Sequence, residues 1–376
     1  MKICLITPKY PPNVQGGGEI SVRLLAEQLA SREDIKQVLV ISFDGKRIEE
    51  INGVRVRRIT NYSETPLEIS NARVAKKLFE YKDLLRDYDV IHAYNVYFTP
   101  AIGVISELLS LPAVATLNSY VLLPRSASGF TPTGARRIYD ELFMPTTGRV
   151  LRHLSGLVDK LICLSNASKN IYTEYGFEKD NIEVIPNMAD PEFNVPQKPS
   201  DRQKVRVLYV GTLAEHKGVK YLISAASNLP HNFEIRIVGD GEERVELEKL
   251  ASETGVETKV EFMGNIPYSD INAEYAKADV FVHPGIWPEP FGRTVIEAME
   301  AGLPVVATNT GGPADIIDSQ QLLCPPADAL AIADAIKYAH KHQETIGAQN
   351  RNRIIEQYSS DYVCSRIINL YEEVSS

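Results

Sequence analysis

Two glutamates, Glu289 and Glu297, flank the seven residues Pro-Phe-Gly-Arg-Thr-Val-Ile. Alone this spacing says little, because Glu297 is equally explained as a helix-surface partner of Arg293 four residues earlier. Between them, Phe291-Gly292-Arg293-Thr294 carries no acid. It reads as the first turn of a helix, whose NH groups lack intrahelical partners and can take an anion. Gly292 there lets a ligand approach the backbone. Lys217, in His-Lys-Gly, puts a point charge beside helix donors and suits a diphosphate, although solvent is the common fate of lysines. Gly16-Gly17-Gly18 can present NH groups to a phosphate or serve as a flexible turn. It is not G-x-G-x-x-G, so a dinucleotide fingerprint is unsupported. His92 and Asn118 lie at strand ends; a lone histidine there is more often structural than catalytic.

Alternating strands and helices position these residues. Lys2–Thr7, Gln37–Ser42, Asp89–Ala93, Pro112–Thr116, Lys160–Leu164 and Ile182–Pro186 read as strands of one doubly wound domain through about Asp190. Val54–Ile59, with Arg55, Arg57 and Arg58, reads as an exposed strand with a solvated face. Glu19–Ala30 is an amphipathic helix, and Ser165 caps another. Pro191–Gln203 reads as a linker, with Pro196 and Pro199. Val205–Gly211, Phe233–Val238, Val260–Met263, Ala278–His283 and Leu303–Ala307 restart the strand pattern. Phe291–Ala301 has helical spacing, with Val295, Ala298, Met299 and Gly302 able to face a core, and Gly311-Gly312-Pro313 breaks the chain. Three helical stretches close it: Ala327–His340, Glu344–Tyr358 and Asp361–Tyr371.

The 376 residues suit two domains, and 44% hydrophobic with 24% charged residues is ordinary for a globular protein. The net charge of −9 is concentrated in the second half, since Lys+Arg and Asp+Glu number 23 and 22 through Asp190 but 17 and 27 beyond it. An acidic half without a basic stripe argues against nucleic acid as a partner. Cys4, Cys163, Cys324 and Cys364 are far apart, which indicates neither zinc nor a disulfide framework; the first two read as buried thiols of a reducing cytoplasm. Strand one begins at once, so no signal peptide is expected. Val96–Leu117 is too interrupted for a membrane span. Between Tyr120 and Arg152, arginines 125, 136, 137, 149 and 152 outnumber Asp140 and Glu141, with Phe130, Tyr139, Phe143 and Met144 interleaved. This region suits an acceptor or membrane surface bearing phosphate groups, or solvated helix faces.

Glu-Pro-Phe-Gly, the second glutamate in Glu-Ala-Met-Glu-Ala-Gly-Leu-Pro-Val-Val-Ala-Thr, and then Gly-Gly-Pro closely resemble the donor-binding motif of family 4 retaining glycosyltransferases, which have the GT-B fold. Gly-Gly-Gly-Glu and Lys217-Gly218 resemble the same family's loops. The resemblance spans nearly the whole chain and is strongest from Val207 to Ile317. It implies two Rossmann-like domains facing across a cleft: residues 1–190 on the acceptor side, with a last helix of about 357–376 packing back on them, and residues 191–356 for the donor. The implied reaction moves a sugar from a UDP- or GDP-sugar to an acceptor hydroxyl with retention, in the synthesis of cell-envelope glycan, glycolipid or polysaccharide. The acceptor would be a glycan, glycolipid or small molecule. No cofactor or metal is implied beyond the nucleotide sugar as co-substrate. The location would be cytoplasmic or peripheral on the inner face of the membrane, with contact through the Arg125–Arg152 region.

By the same resemblance, Glu289, Lys217 and Asn118 serve catalysis. Gly17, Gly18, Thr212, Lys217, Gly264, Ile266, Glu289, Pro290, Phe291, Gly292, Arg293, Thr294 and Glu297 bind the donor. Glu297 would hold the ribose, Glu289 the sugar hydroxyls, and the stretch Gly264–Ile266 the base. Two positions depart from the pattern. Thr212 replaces a usual arginine, whose charge Arg293 or His216 would have to supply, and Asn118 replaces a usual histidine. These departures keep open a catalytically degenerate nucleotide-sugar-binding protein of the same fold; a sugar-nucleotide epimerase is the other alternative.

Overall fold

The structure is a computed structural model that describes residues 1–13, 16–62, 66–129, 131–132, 134–197 and 204–376. Phe130 and the part of the expected linker at 198–203 lie outside the described residues. The chain divides into two compact units, Met1–Met188 with Ser360–Ser376, and Ala189–Ser359.

The first unit holds strands β1 (Lys2–Thr7), β2 (Gln37–Ser42), β3 (Arg47–Ile51), β4 (Val54–Arg58), β5 (Val90–Ala93), β6 (Ala113–Leu117), β7 (Lys160–Cys163) and β8 (Ile182–Val184). They form one sheet in the order β3-β4-β2-β1-β5-β6-β7-β8. All pairs are parallel except β3 with β4. The central strands are near-continuous apolar runs because helices cover both faces. Helix α1 (Gly17–Ala30) buries Ile20, Val22, Leu24, Leu25 and Leu29. Helix α2 (Leu67–Phe79) buries Val74 and Leu78. The Ser165 hydroxyl accepts from the Ser168 NH, which makes Ser165 a true cap. The C-terminal helix Ser360–Ser375 buries Val363, Ile367, Ile368 and Tyr371 in this unit.

Arg58 departs from the solvated strand face read in the sequence. It is 3% exposed, and its guanidinium pairs with Asp44 and Glu49 and donates to the carbonyls of Tyr10 and Pro11. Strand β3, which brings Glu49 there, has no apolar alternation that periodicity could detect. From Gly134 to Ser155 the chain is helical, with a widened turn over Tyr139–Gly148. Met144 is core there and not part of a surface patch, whereas Ile138, Leu142, Phe143 and Val150 are exposed.

The second unit has strands β9 (Val205–Val210), β10 (Phe233–Val238), β11 (Val260–Gly264), β12 (Val280–His283), β13 (Val305–Thr308) and β14 (Leu323–Cys324). They run parallel in the order β11-β10-β9-β12-β13-β14. Helices α3 (Val219–Ala225), α4 (Arg293–Glu300) and α5 (Gly311–Ile316) follow β9, β12 and β13. Gly302 is half-exposed and not in the core. Gly311-Gly312-Pro313 does not break the chain; it opens α5. All four cysteines are buried and free, and burial pushes the Cys163 thiol up to about 12. Among the described residues, no helix is long and apolar enough to cross a membrane.

Candidate active site

In the second unit the strand order reverses between β9 and β12. Ligands of open parallel sheets sit outside the carboxyl ends of the strands at such a point. Lys217 stands on the loop leaving β9, and Glu289 on the loop leaving β12. The Lys217 Nζ donates to Glu289 Oε2 at 2.8 Å, and His283 Nε2 lies 2.9 Å from the same oxygen. Burial alone would raise the Glu289 carboxyl, but Lys217 and His283 outweigh it and hold the group well below the usual carboxylate range. The Lys217 ammonium also lies 5.8 Å from the centroid of the Trp287 ring, and His216 meets the edge of that ring.

Glycines let these loops touch. A Cβ on Gly218 (φ +67) would sit 2.0 Å from the Pro284 carbonyl oxygen, and the Ile286 NH donates to the His216 carbonyl at 3.0 Å. Gly312 donates its NH to the Glu289 carbonyl at 2.6 Å. A Cβ on Gly312 would fall 2.5 Å from Phe291 Cα, and one on Gly311 2.5 Å from Glu289 N. The two glycines therefore clamp the loop that carries Glu289. Gly292, at φ +105, starts α4. Phe291 and Pro290 are buried behind it, and Thr294 is half-buried.

Glu297 is not on the surface. It is 4% exposed, 3.1 Å from Arg293 Nε, and accepts from the Tyr275 hydroxyl at 2.9 Å. Burial raises its carboxyl above the ordinary value despite Arg293. Arg293 also donates to the Tyr268 hydroxyl at 3.0 Å, and Tyr268 donates to Asp190 at 3.3 Å. Arg293 is thus engaged with Glu297 and Tyr268. Thr212 is exposed, and its carbonyl accepts from Tyr209. Gly264 (φ +69) accepts at its carbonyl from Gly239, with Ile266 half-buried beyond it. Among the described residues, no group of three or more His, Cys, Asp or Glu side chains is arranged to hold a metal ion.

The first unit brings Gly18 and Asn118 together. A Cβ on Gly18 would lie 3.5 Å from Asn118 Nδ2, and Asn118 Oδ1 accepts from the Val96 NH at 3.3 Å. Gly17 is exposed at the head of α1, where the Glu19 carboxylate accepts from the Gly16 NH at 2.9 Å. His92 is fully buried between the Tyr371 hydroxyl at 2.6 Å and Thr116 Oγ1 at 2.8 Å. Burial depresses its pKa to about 3, so it is a neutral core histidine.

Sequence reasoning missed His283, Tyr268 and Tyr275. Only His283 carried a signal, as the last residue of a buried strand at the switch point. The two tyrosines reach the site through tertiary packing that no local pattern announces.

Two parallel α/β sheets, one with a charged cluster at its switch point, define a protein of the GT-B fold. Over 99% of this chain and 98% of its own, sucrose-phosphate synthase of Thermosynechococcus elongatus aligns with a TM-score of 0.80 at 24% identity. HepE of Anabaena, in complex with UDP, aligns over 99% of this chain and 100% of its own with a TM-score of 0.78 at 22% identity. By sequence, an uncharacterized glycosyltransferase of Methanocaldococcus jannaschii is 28% identical over 99% of this chain and 98% of its own. A GDP-mannose-dependent alpha-mannosyltransferase of Mycolicibacterium smegmatis is 27% identical over 100% and 98%. Residues 15–193 match Glycosyltransferase Family 4 and residues 190–359 match Glycosyl transferases group 1. The chain belongs to this glycosyltransferase family.

Proposed function

We propose that the protein is a retaining glycosyltransferase that moves a hexose from a UDP- or GDP-sugar to an acceptor hydroxyl in glycan, glycolipid or polysaccharide synthesis. It would work in the cytoplasm or on the inner face of a membrane, which the Arg125–Arg152 region would contact. The observation that carries the reading is the Lys217–Glu289–His283 cluster at the β9/β12 switch point.

Negative charge builds on the diphosphate as it leaves, and fixed cations and NH donors stabilise it. Lys217 supplies the cation, while the NH groups of Phe291 and Gly292 at the head of α4 supply oriented donors. These groups suffice for a reaction without a metal or cofactor. On donor binding Lys217 turns from Glu289 to the diphosphate, which frees Glu289 Oε2 to accept from sugar hydroxyls. Glu297 accepts from the ribose hydroxyls, and Arg293 and Thr294 hold the turn that presents it. Thr212, Gly264, Ile266 and Pro290 shape the nucleotide site. The acceptor oxygen attacks the anomeric carbon from the face the diphosphate leaves. The bond from that carbon to the phosphate oxygen breaks, and the departing oxygen takes the acceptor proton. No enzymic base is then needed, and Asn118 serves as a hydrogen-bonding amide.

Calorimetry with a panel of nucleotide sugars, without added metal, tests this. One UDP- or GDP-sugar should bind in the micromolar range, and NMR of the product should show the donor's anomeric configuration. Absence of binding to every nucleotide sugar would sink the reading. Binding without transfer would leave the degenerate binding protein, and conversion of the donor without acceptor an epimerase.

A further inference from the structure

Buried histidines stand in a strand of each sheet, His92 in β5 and His283 at the end of β12. They differ in one respect. His92 engages both ring nitrogens, with Tyr371 and Thr116. His283 is 5% exposed and engages Nε2, while its buried Nδ1 has no hydrogen-bond partner among the described residues. A buried nitrogen left unpaired costs stability, so packing alone does not account for a histidine at this position. The bond it does make is the one to Glu289 Oε2, at 2.9 Å. Glu289 is held well below the usual carboxylate range, and a carboxylate only accepts. Nε2 therefore carries the proton and donates it.

Oε2 thus has two donors of different kinds. Lys217 reaches it on a flexible side chain from the short turn Glu215–Lys217. The His283 ring is built into the sheet. Its backbone is in register with Ala307 of β13. The Gly285 backbone closes over the ring, since a Cβ on Gly285 would lie 3.1 Å from His283 Cε1. The Gly285 carbonyl in turn accepts from Thr308 Oγ1 at the end of β13.

Lys217 cannot serve Glu289 and a diphosphate at full strength together. With no other donor in place, its departure would leave a half-buried carboxylate without a partner, which is strongly unfavourable. One fixed N–H on Oε2 removes this difficulty. It keeps the carboxylate ionised and oriented, and the remaining lone pairs stay open to hydroxyl donors.

We infer that His283 is a positioning residue for the transfer: it holds Glu289 in place while Lys217 passes to the diphosphate, and it acts on the sugar only through Glu289. The inference rests on the donor site proposed above.

The test is a double-mutant cycle on the full chain. Calorimetry reads it with UDP-glucose, UDP-galactose, UDP-N-acetylglucosamine and GDP-mannose, and thermal unfolding verifies that each variant is folded. For the nucleotide sugar that the wild type binds, His283→Leu should weaken affinity at least tenfold. In a Glu289→Ala background the same substitution should change affinity less than twofold. His283→Gln, whose amide can donate to a carboxylate, should stay within threefold of the wild type. A histidine that only supports the fold predicts intact affinity in a folded His283→Leu protein, or equal loss in both backgrounds. Either result, or a glutamine variant no better than the leucine one, would overturn the positioning role and leave the donor reading standing. A wild type that binds none of these nucleotide sugars would remove the donor reading itself, and this inference with it.

Discussion

The Lys217 ammonium lies 2.8 Å from Glu289 Oε2, so the proposed diphosphate cation and the proposed sugar-binding carboxylate neutralise each other when no donor is bound. The pair makes a measurable prediction. Because the folded-state pKa of Glu289 is held down, its contribution to stability is fully present above the unfolded carboxylate value of about 4.3 and is lost as pH falls below it. In Lys217→Met the carboxyl loses its main cation and its pKa rises. The acid-unfolding midpoint of the variant should therefore move to higher pH than that of the wild type, and donor affinity should fall at neutral pH. Coincident acid-unfolding curves for the two proteins would show that the pair is not formed in solution.

Glu297 separates fold from function by choice of substitution. Glu297→Ala leaves Arg293 buried without its carboxylate, which costs roughly 3–5 kcal/mol of stability, far more than a surface pair would. Glu297→Gln also leaves the Arg293 charge uncompensated but keeps an acceptor for the Tyr275 hydroxyl, so it should lose less stability than the alanine variant. If Glu297 binds the ribose, the glutamine variant should lose a charged hydrogen bond, about 1.5–3 kcal/mol or ten- to hundredfold in donor affinity. Denaturant titration and calorimetry on both variants read the two effects separately.

How much of this was legible in the sequence depended on distance along the chain. Lys2–Thr7 and Gln37–Ser42 were readable to the residue because burial on both faces leaves a near-continuous apolar run, and Phe233–Val238 because its apolar and charged residues alternate. The chemistry of Glu289 and Lys217 was legible as a pattern, but not their contact across 72 positions. That contact exists only because β9 and β12 are neighbours in the sheet. Arg58 was misread because its partners, Asp44 and Glu49, come from a loop and an edge strand without apolar periodicity. Glu297 was weighed as a surface group because i, i+4 spacing shows which residues share a helix face, not whether that face is covered. Here both Arg293 and Glu297 of α4 are buried, and among its charged residues only Glu300 at its end is half-exposed.

Gly312 offers a test of the loop clamp that touches no charged group. A Cβ at Gly312 meets Phe291 Cα at 2.5 Å, so Gly312→Ala must push the Glu289 loop away from α5. Overpacking of this kind costs about 1–3 kcal/mol. Because the displaced loop carries both Glu289 and the head of α4, kcat/KM should fall by more than tenfold while the protein remains folded. Thermal unfolding and steady-state kinetics on Gly312→Ala check this; full activity at reduced stability would make the clamp purely structural.

His92 provides the opposite case, a histidine at a strand end that should matter for stability and not for transfer. Its ring accepts and donates within the core, between Tyr371 of the C-terminal helix and Thr116 of β6. Burial lowers its folded-state pKa to about 3, whereas in the unfolded chain it titrates near 6.5. Between those values the unfolded state binds one more proton, so stability is full above about pH 6.5 and falls as pH decreases, by about 1.4 kcal/mol per unit from this group alone. His92→Gln keeps hydrogen-bonding capacity but cannot titrate. It should lower stability at pH 8 while flattening the decline between pH 6.5 and 4, with transfer activity at pH 8 within about twofold of the wild type. Chemical denaturation at several pH values measures the slope. A variant with the wild-type slope would show that His92 is charged or solvent-reached in the folded protein, and a selective loss of transfer would return it to the active site.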